Sequence, residues 1–196
     1  MRSIKLTLPK NAVSIGQNVT GQIAVVDTIG KDTAPVPGAT VALQQMRGKS
    51  YVTMADGETD ANGQFAVSFM SKTNATWRAV LKPASGKEMY TPVVTTKASA
   101  MVSWAARPDM EVKANTSTVY AFRVTSGAST NGNLEYALAS APTKWTVVKA
   151  TSVPANDIIR QAVKFPKAGT YLLRGASAAT ATTAPGYTTS LEIEVN

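Results

Sequence analysis

Thr59-Asp60-Ala61-Asn62-Gly63-Gln64-Phe65-Ala66-Val67-Ser68-Phe69, followed by Thr76-Trp77-Arg78-Ala79-Val80-Leu81, is the stretch whose reading decides the fold. A polar turn ending in Asn62-Gly63 feeds a segment whose alternate residues Phe65, Val67 and Phe69 are apolar. Period-two alternation is the signature of a half-buried strand. A second strand places Trp77, Ala79 and Leu81 on one face. Asn-Gly between alternating segments predicts a hairpin with a type I′ turn, because Asn and Gly tolerate the positive φ that both central residues need.

Similar short segments lie on either side. Ile4, Leu6 and Leu8 alternate up to Pro9; Val19, Ile23 and Val25 are in phase; Lys31 to Gly38 reads as loop, with Pro35 and Pro37 ahead of a glycine. Strands follow at Ala39–Gln45 and Tyr51–Met54, and a long one is expected from Val93 to about Trp104. Ala105-Ala106-Arg107-Pro108-Asp109 interrupts the pattern. It restarts at Met110-Glu111-Val112 and runs through Val119–Val124, Leu134–Ala139, Trp145–Lys149, Ile158–Phe165, Thr170–Gly175 and Thr188–Val195. No long window has a helical period, so the chain is expected to be all-β.

The two series align as a repeat. Val41-Ala42-Leu43 is matched with Tyr136-Ala137-Leu138, Tyr51 with Trp145, and Trp77 with Tyr171; 26 residues separate the aromatics in each half. Tyr90-Thr91-Pro92 recurs as Pro185-Gly186-Tyr187. The expectation is two tandem sandwiches, residues 1–105 and 106–196.

Composition narrows the chemistry. The chain has no His and no Cys, which removes the commonest general base, thiol nucleophiles, thiolate metal sites and disulfides. Ser-His-Asp and Cys-His catalysis are excluded, leaving carboxylate, Lys or Tyr chemistry. Twenty basic and 12 acidic residues give a net charge of +8, but the cations are scattered singly. Such a surface attracts acidic partners weakly and lacks the clustered, aromatic-interleaved stripe of a nucleic-acid site. No apolar run reaches membrane-spanning length, and Met1 to Pro9 reads as a strand, not a signal peptide.

Val36-Pro37-Gly38-Ala39-Thr40-Val41-Ala42-Leu43, Tyr51, Thr59 to Phe65, Trp77-Arg78-Ala79-Val80 and Tyr90 resemble the tandem immunoglobulin-like domains of bacterial surface proteins and phage appendages. The second series keeps the aromatics and replaces the Asn-Gly turn by Pro154-Ala155-Asn156-Asp157. It adds Pro166-Lys167-Ala168-Gly169-Thr170-Tyr171, a turn-plus-Tyr pattern common in such domains. The resemblance implies Greek-key β-sandwiches without catalytic residues. The Asp-Ala-Asn-Gly turn also occurs in prealbumin-like modules, so both sandwich topologies fit at this point.

Three clusters compete with structural explanations. Asp56, Glu58 and Asp60 alternate and would offer Ca²⁺ three carboxylates on one side; a wet strand edge entering a turn explains them equally. Trp77, Trp104 and Trp145 with Tyr51, Tyr171 and Tyr187 could form a sugar platform, but recurrence of Tyr51/Trp145 and Trp77/Tyr171 favours core packing. Trp104, unmatched, is expected between the domains. Glu192 and Glu194 with Glu135 could make an acid/base pair, though alternating Glu on a last strand is ordinarily a solvated face.

The expectation is therefore a non-enzymatic structural or interaction protein with no catalytic, cofactor-binding or metal residues and no cofactor. With no export signal legible, the first reading is a phage virion protein assembled in the host cytoplasm: a capsid decoration (cement) protein or a head or tail appendage. Its partners would be the major capsid or other virion proteins, contacted in many copies, with homo-oligomerisation possible and neither nucleic acid nor membrane bound. The alternative is a module of a bacterial extracellular or cell-surface protein, an adhesin or a carbohydrate-binding accessory domain touching surface polysaccharide.

Overall fold

The computed structural model describes residues 1–154 and 156–196, and these form strands, turns and loops with no helix among them. Ala155, in the expected turn Pro154–Asp157, lies outside the described residues. The chain divides into two compact units, Met1–Ala98 and Ser99–Asn196.

The division falls before the expected one at residue 105. Val93 to Trp104 is not one strand, and its last part belongs to the second unit. Met101–Trp104 pairs antiparallel with Ser117–Thr125, from Met101 opposite Thr125 to Trp104 opposite Phe122.

Unit 1 contains β1 (Arg2–Thr7), β2 (Val13–Ser14), β3 (Asn18–Ile29), β4 (Asp32–Pro35), β5 (Thr40–Arg47), β6 (Ser50–Glu58), β7 (Gln64–Met70), β8 (Ala75–Leu81), β9 (Met89–Tyr90) and β10 (Val94–Thr96). In one sheet β1 flanks β3 on one side, while β7 and β4 share its other edge. The second sheet runs β10-β8-β5-β6, with β9 also on β8. The segment expected as loop thus contains β4, folded back on the end of β3 through Gly30 at φ 64°.

After β11 (Ala98–Ser99), unit 2 contains β12 (Met101–Trp104), β13 (Glu111–Val112), β14 (Ser117–Thr125), β15 (Thr130–Leu138), β16 (Thr146–Val147), β17 (Thr151–Val153), β18 (Asp157–Lys164), β19 (Gly169–Ser177), β20 (Gly186–Tyr187) and β21 (Leu191–Val195). One sheet is β12-β14-β18; the other is β13-β21-β19-β15-β16, with β17 on β15 and β20 on β19. Apart from β4, which has no equivalent among the described strands of unit 2, this is the order of unit 1, and β13 adds a parallel pairing to β21. Each unit is an immunoglobulin-like Greek-key β-sandwich.

The alternation read from the sequence points inward as expected. Ile23, Val25, Val41 and Ala79 are fully buried in unit 1, with Leu43, Trp77 and Leu81 at 2% exposure or less. Burial of one such aliphatic chain contributes about 1.5–3 kcal/mol. Phe69 of β7 and Trp77 of β8 meet across the two sheets with ring centroids 4.0 Å apart. In unit 2, Phe122, Leu134, Val163, Phe165, Leu173 and Ile193 are fully buried. Tyr171 sits at the start of β19 beneath Phe165, centroids 4.9 Å apart, and its hydroxyl donates back to the Lys167 carbonyl at 3.3 Å. That back-bond is the tyrosine corner of immunoglobulin-like sandwiches.

The Asn-Gly turn departs from its expected form. Gly63 has φ 69° while Asn62 does not have positive φ, so the turn is not type I′. Asp60 is the reason: its Oδ1 accepts from the backbone N–H of Asn62 (2.8 Å) and Gln64 (2.9 Å). The Gly63 N–H reaches the Asp60 carbonyl at 2.9 Å, and the Asp60 N–H reaches the Gln64 carbonyl at 2.8 Å. A side chain that satisfies its own turn selects a type I turn closed by a glycine. The strands on either side then separate, β6 pairing with β5 and β7 with β3. The stretch is a crossing between sheets, not a hairpin.

Candidate functional site

On the second sheet of unit 1, Arg78 of β8 projects from the strand whose neighbours Trp77 and Ala79 are buried. It stands opposite Gln44 of β5, and its Nε donates to Gln44 Oε1 at 2.8 Å. Its guanidinium carbon lies 3.7 Å from the centroid of Tyr51 and 4.3 Å from that of Tyr90. Tyr90 is in place because β9 pairs with β8, setting it opposite Val80, two residues beyond Arg78. The Tyr90 hydroxyl donates to Glu88, and this bond first, then desolvation, raises its pKa above the ordinary tyrosine value.

Unit 2 builds the same object. Arg174 of β19 stands opposite Glu135 of β15, with its guanidinium carbon 3.8 Å from the Trp145 centroid and 4.3 Å from that of Tyr187. Tyr187 lies opposite Ala176, again two residues beyond the arginine. Here the neutral Gln44 is replaced by a charged partner: Arg174 Nη2 is 2.7 Å from Glu135 Oε2, and Asn133 Nδ2 donates to Glu135 Oε1 at 3.1 Å. A guanidinium over an aromatic face contributes about 0.5–1 kcal/mol when exposed and more when desolvated.

The residue after each outer tyrosine turns inward and locks the stack's strand. Thr91 Oγ1 accepts from the Ala79 N–H at 2.9 Å, and the Thr91 N–H returns to the Ala79 carbonyl at 3.0 Å. Thr188 does the same to Gly175, at 3.0 and 2.9 Å. Tyr-Thr is therefore one repeated device, with its ring on the arginine and its hydroxyl on the strand beneath.

These pairings fix the register of the repeat. Arg78 corresponds to Arg174, Gln44 to Glu135 and Leu43 to Leu134. The sequence alignment of Leu43 with Leu138 and of Trp77 with Tyr171 therefore slips, since Trp77 lies one residue before its arginine and Tyr171 three. The Tyr51–Trp145 match holds in space, although neither residue is core. Both are half-buried against an arginine on the outer face, where sequence reading places them inside. The arginines themselves were missed; aromatics in each half with an arginine in the intervening strand was the available signal.

The remaining candidates disperse. Trp77 and Tyr171 are core, and Trp104, expected between the domains, has Tyr120 and Phe122 of unit 2 as ring neighbours at 6.5 and 6.4 Å. Tyr51 lies on Arg78, and Trp145 and Tyr187 lie on Arg174. Asp56, Glu58 and Asp60 do not converge on a cation: Asp60 has its Oδ1 committed to two backbone N–H groups, and no metal-holding cluster exists among the described residues. Glu135 pairs with Arg174, while Glu194 accepts from Thr170 Oγ1 at 3.1 Å.

No family model and no curated protein matches the chain. Among solved structures it is similar to the D0-D1 domain of intimin, with 14% identity, TM-score 0.36 and 97% of each chain covered. It is also similar to a Salmonella alpha-2-macroglobulin mutant, with 12% identity, TM-score 0.41 and 98% of this chain covered against 16% of that one. A tetra-tandem repeat from the extending region of a large adhesion protein is similar at 11% identity and TM-score 0.37, covering 98% of this chain and 49% of that chain. The chain thus spans a small part of the macroglobulin and about half of the adhesin fragment.

Proposed function

We propose that the chain is a non-enzymatic adhesion module displayed on a surface, and that the outer face of the longer sheet in each unit docks a protein partner. The observation that carries this reading is the repeated stack: Tyr51–Arg78–Tyr90 and Trp145–Arg174–Tyr187 stand at matching places in both units. Tyr, Trp and Arg are the residue types over-represented at binding hot spots. Here they are held rigid before any partner arrives, which lowers the ordering cost of association. Tyr90 and Tyr187 remain 45% and 49% exposed. Each stacked ring already gives a face to guanidinium, which favours a protein partner over sugar stacking. Two docking faces on one chain would add through effective concentration.

A second reading, decoration of a phage capsid, draws on the net charge of +8, which suits an acidic shell. One experiment separates the two: antibody labelling and protease accessibility on intact source cells and on purified particles. Signal on the cell surface supports the adhesion module, and stoichiometric signal on particles supports decoration. A chain confined to the cytosol and absent from particles overturns both.

A further inference from the structure

We infer that β6 is a self-association edge, to which the β6 strand of a second copy adds antiparallel. β6 is the last strand of its sheet and, among the described residues, pairs only with β5. Over its nine residues, Ser50 to Glu58, it contains no Lys or Pro, and its edge-protecting features are confined to the register irregularity beside Met54 and the carboxylates Asp56 and Glu58. Val52 and Met54 at its centre are each 41% exposed. Among the described residues the matching edge of unit 2 is shorter, since β15 carries there only the two-residue β16 and the three-residue β17.

The occupant follows from charge. Arg47 and Lys49 stand exposed where β6 begins; Asp56, Glu58 and Asp60 stand exposed where it ends. An antiparallel second copy lays the basic end of each strand along the acidic end of the other, whereas a parallel copy would set like against like. The register irregularity opposite Leu43 and Gln44 lies near Met54. A two-fold axis close to Met54 therefore brings the two irregularities face to face instead of against a straight strand. The alternating carboxylates acquire a role that needs no cation. An isologous contact of this kind closes as a dimer, independently of what the arginine stacks bind.

The test is sedimentation velocity of the full chain from low to high micromolar concentration. Wild type is compared with Lys49→Glu, Glu58→Lys, the double variant and Val52→Lys, and thermal melts confirm that each is folded. A concentration-dependent dimer is expected. Each single charge reversal should weaken it about tenfold, a size ordinary for a charge pair at an interface. The double variant should recover it, because both ends then reverse together, and Val52→Lys should abolish it. A monomer at every concentration, a dimer indifferent to these changes, or a double variant no better than the singles would overturn the inference.

Discussion

Arg174 and Glu135 face each other across β19 and β15, Nη2 to Oε2 at 2.7 Å, with side chains only 23% and 15% exposed. The equivalent pair in unit 1, Arg78 and Gln44, has the same cross-strand geometry with a neutral acceptor. The two stacks therefore differ in electrostatic content while sharing shape. Arg174→Ala should destabilise unit 2 by about 2 kcal/mol, because a part-buried carboxylate loses its charged donor. Arg78→Ala should cost unit 1 about 1 kcal/mol, mostly the ring contacts. Urea titration of each variant checks the order. Arg174→Lys should recover little, since an ammonium cannot lie flat on Trp145 and Tyr187 while keeping its bonds to Glu135.

Gly63→Ala should destabilise unit 1 by more than about 1 kcal/mol, beyond the ordinary cost of positive φ. A Cβ there would meet the Val25 carbonyl at 2.6 Å and the Val36 nitrogen at 2.8 Å. Asn62→Ala should be nearly neutral, because that residue contributes its backbone N–H to the turn. A larger loss at Asn62 than at Gly63 in thermal melts would contradict the geometry.

Thr91→Val and Thr188→Val should each cost about 1–3 kcal/mol, the penalty for leaving a buried strand N–H unpaired. Both hydroxyls accept from such groups, of Ala79 and Gly175. The check is amide hydrogen exchange, which should accelerate at Ala79 in the first variant and at Gly175 in the second.

Tyr120 gives a pH dependence of definite sign. Burial first, and then the negative charge of Asp109, push its hydroxyl up to about 12. Its hydroxyl also donates to the Asp109 carbonyl at 3.2 Å. In the unfolded chain a tyrosine ionises near pH ~10. Between these values unfolding releases a proton, so this contribution to stability is intact below about pH 10 and is lost as pH rises towards the folded value. Tyr120→Phe should reduce that alkaline slope in unit 2, as read from the denaturation midpoint at successive pH values.

How far the sequence could be read depends on which physical quantity sets each feature. Alternation at Phe65–Phe69 and Trp77–Leu81 depends only on local period, and those residues pack as expected. The strand from Val93 to Trp104 failed because periodicity cannot say which neighbour a strand pairs with; Met101–Trp104 takes β14. The Asn62-Gly63 turn failed because the Asp60 side chain outcompeted the dipeptide preference. The candidate site was half legible: Tyr51, Trp145, Tyr90 and Tyr187 stand out as a repeat. Arg78 and Arg174 do not, since pairing a cation with rings on two other strands requires the sheet register.

The central claim, that the arginine-centred stacks are docking surfaces, is tested most directly by quantitative binding of the labelled chain to intact cells of its source. Wild type is compared with the Tyr90→Ala/Tyr187→Ala double variant, whose substitutions fall on exposed rings. Loss of about tenfold or more in affinity, with each single variant intermediate and all melts near wild type, is the predicted result. Undiminished binding by a folded double variant, or no binding by wild type, would contradict the account.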